Sequence, residues 1–270
     1  MKSSATHYTH KQIWLIAYPI LISLLMEQMI GITDTAFLGR VGEVELGASA
    51  IAGVYYLAIF MIGFGFTIGS QILIARRNGE EQYQAIGNIF YQGIYFLMAM
   101  SAVVFTLSQI FSDEILGFLI SSPHVRDAAA DYIHWRVFGF FFSFIGAMFR
   151  AFFVGTTQTK TLTLNSIVMV LSNVIFNYTL IFGKFGFPAL GIAGAAIGSS
   201  LAELVSVIFF IIYTRRRIDY RKYALHIIPA FRAKELVQIM HISLWTMIQN
   251  FVSLSTCCLL YTSPSPRDTR

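Results

Sequence analysis

Cysteine is nearly absent from this chain: there are two in 270 residues, the neighbours Cys257 and Cys258. Adjacent cysteines build neither a disulfide framework nor a metal-ligand spacing, so they say nothing of redox compartment. Charge is scarce as well. Asp, Glu, Lys and Arg make up 12% of the chain, about half of what a soluble domain carries, which argues against a large soluble core. The signatures of common enzymes are missing: there is no Walker loop, no HExxH and no nucleophile elbow. The glycine-rich stretch GKFGFPALG (183–191) lacks the Lys-Ser/Thr pair of a phosphate loop. An enzyme is not expected, nor an organic cofactor. No signal peptide is evident either. Met1 to Gln12 is short and polar, and the apolar run behind it continues past any small-residue cleavage site, so the first span is expected to be a retained signal anchor.

What is abundant is apolar sequence. The chain is 56% hydrophobic and 15% aromatic, with 25 Phe, and these residues gather in runs of bilayer length. The pattern predicts an all-α membrane protein with six full spans, at 12–38, 46–75, 86–111, 128–154, 162–182 and 190–213, and the start of a seventh from 236. Each full span is long enough to cross about 30 Å of hydrocarbon at about 1.5 Å per residue. Barrel strands would need only about ten residues and would alternate.

The loops set an orientation. The N-terminus and loops 76–85, 155–161 and 214–235 hold 12 Lys and Arg, against 3 (Arg40, Arg126 and Lys184) on the other side. That bias places the N-terminus in the cytoplasm. It also accounts for most of the +5 net charge, so nucleic acid is not an expected partner. Segment 214–235 (TRRRIDYRKYALHIIPAFRAKE) is longer than the other loops, basic and broken by Pro229. It reads as a linker between membrane units, either with an interfacial helix on anionic lipid or as a solvated stop-transfer loop. Residues 1–213 then form a six-helix lobe, 214–235 a linker and 236–257 a partial seventh helix. The stretch Cys258 to Asp268 resembles translated sequencing-adapter DNA. On that reading 258–270 is a non-native tail and the chain is a fragment; the alternative is a genuine short tail.

Polar groups inside the spans are the candidates for function, because each carries a penalty in lipid unless paired or wetted. Asp34 stands out. A carboxylate in a bilayer-length helix costs several kcal/mol, and such residues mark ion or substrate pathways. Glu27 lies seven residues earlier, about two turns, on the same face. In the fifth span Asn173 and Asn177 are one helical turn apart, and in the sixth Ser199 and Glu203 repeat that spacing. Asp34 sits about one turn from the outer end of its span, Asn177 roughly 8 Å from its own and Ser199 roughly 13 Å below its start. If spans one, five and six pack together, Asp34, Asn173, Asn177 and Ser199 can meet as a site for Na⁺, or for a proton on the acid itself. The competing reading is that Asn and Ser simply hydrogen-bond neighbouring helices, for about 1 kcal/mol or less; for Ser199 taken alone it is preferred. Glu27 and Glu203 either line a substrate or proton pathway or pair with Arg150 or Arg136. Those two arginines, with Asp131 and His134, are read as structural or interfacial. The aromatics Tyr55, Tyr56, Phe138, Phe140, Phe141 and Phe142 are read as packing groups, in a number that also suits a cavity for planar cations. Pro19 permits a bend in the first span. Gly63, Gly65 and Gly69, and Gly191, Gly194 and Gly198, allow close helix approach.

Four segments together resemble the multidrug and toxic compound extrusion (MATE) antiporters. They are the Pro19 span ending in TDTAFLGRVG with Asp34, then GSQILIARRNGEEQYQA, then MFRAFFVGTTQTKTLTLNSIVMVLSNVIFNYTLIFG, and GFPALGIAGAAIGSS. They cover most of 13–213. The resemblance implies two six-helix lobes related by pseudo-symmetry, of which this chain would hold the N-terminal one, its C-terminal lobe missing. It implies export of small organic cations or drugs in exchange for Na⁺ or H⁺, in the plasma membrane, bacterial inner membrane included. It also implies a coupling-ion site at Asp34, Asn173, Asn177 and Ser199, the last in place of a more usual Thr. Some members carry a second acid where Asn177 stands, and others a glutamate aligned with Ser253, which leaves Asp34, helped or not by Glu27, as the coupling acid. Two further readings stand beside it: a lipid-linked saccharide flippase of the same superfamily, and a seven-helix receptor, which would begin outside the cell.

Overall fold

Backbone that crosses hydrocarbon must satisfy its own hydrogen bonds, and here every long apolar run does so as a helix. The computed structural model describes residues 9–120 and 122–262, and among them there are helices and connecting turns but no strand. In chain order the helices are α1 (His10–Leu38), α2 (Glu43–Gly79), α3 (Tyr83–Leu119), α4 (Pro123–Arg136), α5 (Gly139–Gly155), α6 (Lys160–Phe182), α7 (Gly191–Arg217) and α8 (Ala233–Thr262). Five of them, α1, α2, α3, α6 and α7, are long and apolar enough to cross a membrane. The chain is a multi-pass membrane protein.

The expected fourth span, 128–154, is not one rod. It is the pair α4 and α5, bent by 52° across Val137 and Phe138. Gly139 opens α5 at the bend, and a Cβ there would lie 2.7 Å from a Glu203 carboxylate oxygen and 2.9 Å from the Ser200 hydroxyl. Only glycine leaves room for the polar groups that gather in this corner.

α6 pairs with α7 and with α1, while α5 lies between α3 and α7 and against α2. The core is rich in phenylalanine: Phe66, Phe140, Phe144, Phe152 and Phe153 are fully buried. Phe140 stacks on Phe144 with centroids 5.6 Å apart, and Phe153 on Phe210 at 5.4 Å. α1 is the least enclosed element. It holds mainly to α6, and Leu21, Leu25 and Ile32 on its other face are exposed, as a lipid- or cleft-facing helix requires.

Of the small-residue positions expected to admit close helix approach, Gly194 and Gly198 do so on α7. A Cβ at Gly194 would come within 2.6 Å of the Leu180 carbonyl oxygen, and one at Gly198 would strike the Asn177 side chain. Gly191 differs: nothing lies near it, and its φ of +54° belongs to the turn that starts α7. Segment 218–232 forms turns rather than an interfacial helix. It is bound to α3 through Tyr91 Oη donating to the Leu225 carbonyl (2.7 Å), Gln92 Nε2 to that of Ala230 (2.9 Å) and Tyr95 Oη to that of Pro229 (2.8 Å). α8 returns onto α2, where Thr246 Oγ1 donates to the Gly65 carbonyl (2.7 Å) and Ser243 Oγ to that of Phe66 (3.1 Å). It runs five residues past Cys257, to Thr262, because no helix breaker precedes Pro264. The rest of the expected tail, 263–270, lies outside the described residues.

Candidate functional site

A seam of polar contacts joins α1 to α6. Both helices run in the same direction, so the pairs follow in order: Thr163 Oγ1 donates to the Pro19 carbonyl (2.9 Å), Ser166 Oγ to Ser23 Oγ (3.0 Å) and Asn177 Nδ2 to Asp34 Oδ1 (2.5 Å). The last pair is the start of a cluster. Ser199 Oγ on α7 donates to Asp34 Oδ2 (3.2 Å) and accepts from Asn173 Nδ2 (3.2 Å). Asn177 Nδ2 also donates to Asn173 Oδ1 (3.2 Å). The fold therefore brings together Asp34, Asn173, Asn177 and Ser199 from three helices. Asn173 and Asn177 are wholly buried, while Asp34 keeps some exposure. Asp34 is therefore the most exposed member of the cluster.

One atom in this cluster is unsatisfied. Asn177 Oδ1 is buried without a hydrogen-bond partner, held against the Cα of Gly198. A buried acceptor left unpaired costs about 1–3 kcal/mol. The oxygens gathered here are one carboxylate, two amide carbonyls and a hydroxyl. Hard oxygen donors with a single negative charge suit a monovalent cation, and the carboxylate by itself suits a proton.

The other two carboxylates are already paired. Glu27 forms an ion pair with Arg150 on α5. Glu203 takes both arms of Arg136, Nη2 at 2.6 Å and Nη1 at 3.0 Å. Neither joins the hydrogen bonds around Asp34. Asp131 and His134 are exposed, in keeping with interfacial places.

The Arg136–Glu203 pair, one of the alternatives the sequence left open, is the centre of a second cluster whose other members the sequence pattern did not bring together. The guanidinium lies 3.8 Å above the centre of the Tyr56 ring. Tyr56 Oη donates to Glu203 Oε1 (3.3 Å) and shares a hydrogen bond with Ser143 Oγ (2.5 Å), and its ring stacks on Phe140 with centroids 4.3 Å apart. Four helices, α2, α4, α5 and α7, meet at this point. The clue in the sequence was Gly139, three residues after an arginine in an apolar run.

With that geometry in view, known proteins locate the chain. The family model MatE matches residues 19–179, more than half of the chain and including Pro19, Asp34, Asn173 and Asn177. The chain belongs to the MatE family. Among its relatives is "Probable multidrug resistance protein NorM" of Mannheimia succiniciproducens, 26% identical over 205 residues, which are 76% of this chain and 44% of that protein. The protein of the same name in Bacillus subtilis is 29% identical over 205 residues, 75% of this chain and 45% of the other. The eukaryotic MATE transporter AtDTX14 has a crystal structure that overlays with a TM-score of 0.83, at 20% identity, over 90% of this chain and 53% of that one. This MatE chain thus spans about half the length of the curated relatives it matches. Its helices form the N-terminal lobe of a two-lobe fold.

Proposed function

We propose that this MatE lobe carries the ion-coupling half of a secondary antiporter, which exports small organic cations or drugs in exchange for Na⁺ or H⁺. The observation that carries the reading is the convergence of Asn177 and Ser199, from separate helices, on the Asp34 carboxylate, with a buried amide oxygen left unpartnered beside it. Relatives named as multidrug resistance proteins support the substrate class. The setting is a bacterial inner membrane with the N-terminus in the cytoplasm, as the Lys and Arg distribution favours.

In the outward-open state Na⁺ or H⁺ reaches Asp34 and neutralises it. The carboxylate then no longer commands the Asn177 amide and the Ser199 hydroxyl, and Asn177 is free to turn its oxygen toward the ion. That loosens the outer end of the α1–α6 seam. The inner end stays tied at the Pro19 carbonyl by Thr163, so α1 pivots near Pro19, where the helix lacks one internal bond. The cavity narrows, and the organic cation leaves. Coupling requires the two cargoes to favour different states.

The test is Asp34→Asn in the chain joined to its second lobe, in vesicles with an imposed Na⁺ or pH gradient. Gradient-driven export of a fluorescent organic cation is expected to stop while the protein still inserts. Export at the unmodified rate would refute the reading.

A further inference from the structure

The bundle has a groove at its basic end that the ion site does not use. α3 and α7 both pack on α5, yet among the described residues none of their Cα atoms come within 8 Å of each other. A channel remains between them, with a cavity of about 700 Å³. Phe149 on α5 lies at its floor, and Ile94 on α3 and Ile211 on α7 form its walls. The turns of segment 218–232, bound to α3 by Tyr91, Gln92 and Tyr95, close its basic end. There the lining changes character, to Thr214, Arg215 and His226.

Two features show that this end is built for a ligand. Thr214 is 6% exposed, and its hydroxyl is buried without a hydrogen-bond partner. Thr67, Thr156 and Thr179, also buried, return to their own helices, as Thr156 does to the Phe152 carbonyl (2.8 Å); Thr214 does not. Arg215 forms no ion pair among the described residues. The nearby acid Asp219 accepts from the Lys222 backbone (3.2 Å), and Arg216, Arg217, Arg221 and Lys222 add further positive charge. The groove is apolar along roughly 10 Å of α7, from Val207 to Thr214, and cationic at one end. Ile227 and Ile228 beside it are 56% and 71% exposed, which suits immersion in the membrane interface.

We infer that the groove between α3 and α7 holds an anionic phospholipid, one acyl chain lying on Phe149 between Ile94 and Ile211 and its phosphate on Arg215, His226 and the Thr214 hydroxyl. A soluble anion would leave the apolar length uncovered. A zwitterionic lipid would bring its own cation against Arg215. A bound lipid would brace the linker against the two helices it bridges and make its placement depend on membrane composition.

The chain is reconstituted in nanodiscs of equal phosphatidylglycerol and phosphatidylcholine, and the lipids it retains are read by native mass spectrometry. Because both leaflets have one composition, the result does not depend on the orientation assigned above. Wild type is expected to retain phosphatidylglycerol in preference. Arg215→Gln should lower that preference about five-fold, the effect of one charge at a membrane surface. Arg216→Gln, the same charge change outside the groove, should leave it unchanged. Ile211→Trp, which fills the groove, should remove the retained lipid while elution and circular dichroism stay as in wild type. Thr214→Val should lower phosphatidylglycerol retention, whereas an unused hydroxyl would make it neutral. Equal loss in Arg215→Gln and Arg216→Gln, unchanged retention in Ile211→Trp, or equal retention of both lipids in wild type overturns the inference. Asp34→Asn should leave lipid retention intact, which separates this result from failure of the antiport reading.

Discussion

At the scale of single residues, of the three acids Glu27, Asp34 and Glu203 inside the spans, two are committed to arginine and the third, Asp34, is left to an amide and a hydroxyl. The consequences differ. Glu203 and Arg136 each keep only 11% side-chain exposure, so removing one partner strands a charge in a dry place, at a cost of about 3–5 kcal/mol. Glu203→Gln is therefore expected to lower the thermal midpoint in detergent by more than the double variant Arg136→Leu with Glu203→Leu, where no charge remains. A larger drop in the double variant would contradict this. Glu203 is also one turn from Ser199 on the same face of α7, so the pair sets the rotation that presents the Ser199 hydroxyl to Asp34. Arg136→Ala should weaken binding of the coupling ion, measured by calorimetry as Na⁺ titration or as proton uptake, although Arg136 does not touch the Asp34 oxygens. Asp34→Asn should abolish that binding, and Arg76→Gln on the surface should not alter it.

Among the elements, α6 and α7 matter most to the site, because their separation decides whether Ser199 reaches Asp34. Gly194 and Gly198 set that separation, with no room for a side chain at either. Gly194→Val is expected to push α7 from α6, weaken ion binding at least as much as Ser199→Ala, and leave total helix content near wild type by far-ultraviolet circular dichroism. The α1–α6 seam makes a second prediction. Thr163→Val removes the tie to the Pro19 carbonyl, a bond worth about 0.5–1.5 kcal/mol. It should raise hydrogen exchange around Pro19 without changing exchange at the α2–α8 contact.

For the whole molecule, the exposed face of α1 and the span of about half the relatives' length make the same point. Asp34, Asn173, Asn177 and Ser199, the residues of the proposed ion site, all lie on these helices, whereas the cleft that site would serve needs the second lobe as its other wall. The 270-residue chain is expected to bind the ion in nanodiscs and yet sustain no gradient-driven export in vesicles. Export by the purified chain would show that one lobe suffices. Orientation has its own check. With Cys257 and Cys258 replaced, a cysteine placed at Arg221 should be shielded from an impermeant maleimide in intact cells, while one at Phe185, in the exposed loop between α6 and α7, should be labelled.

Much of this was legible along the chain. Bilayer-length apolar runs with few charges determined the all-helical class and nearly every span, since hydrocarbon tolerates no other open-chain solution. One-turn spacing put Asn173 beside Asn177 and Ser199 above Glu203, because side chains four apart share a helix face. Partnership between distant residues was legible only as alternatives: Glu27 and Glu203 on a pathway or paired with Arg150 or Arg136, and Asp34 with Asn173, Asn177 and Ser199 if their spans packed together. Across the 52° bend before Gly139, Arg136 on α4 meets Glu203 and the Tyr56 ring, while Arg150 on α5 pairs with Glu27. The groove beside Thr214 exists only because α3 and α7 are held apart by α5. Spacing constrains neighbours on one helix; which faces meet across helices is decided by packing, through close approach at glycine and by the need of every buried charge for a partner.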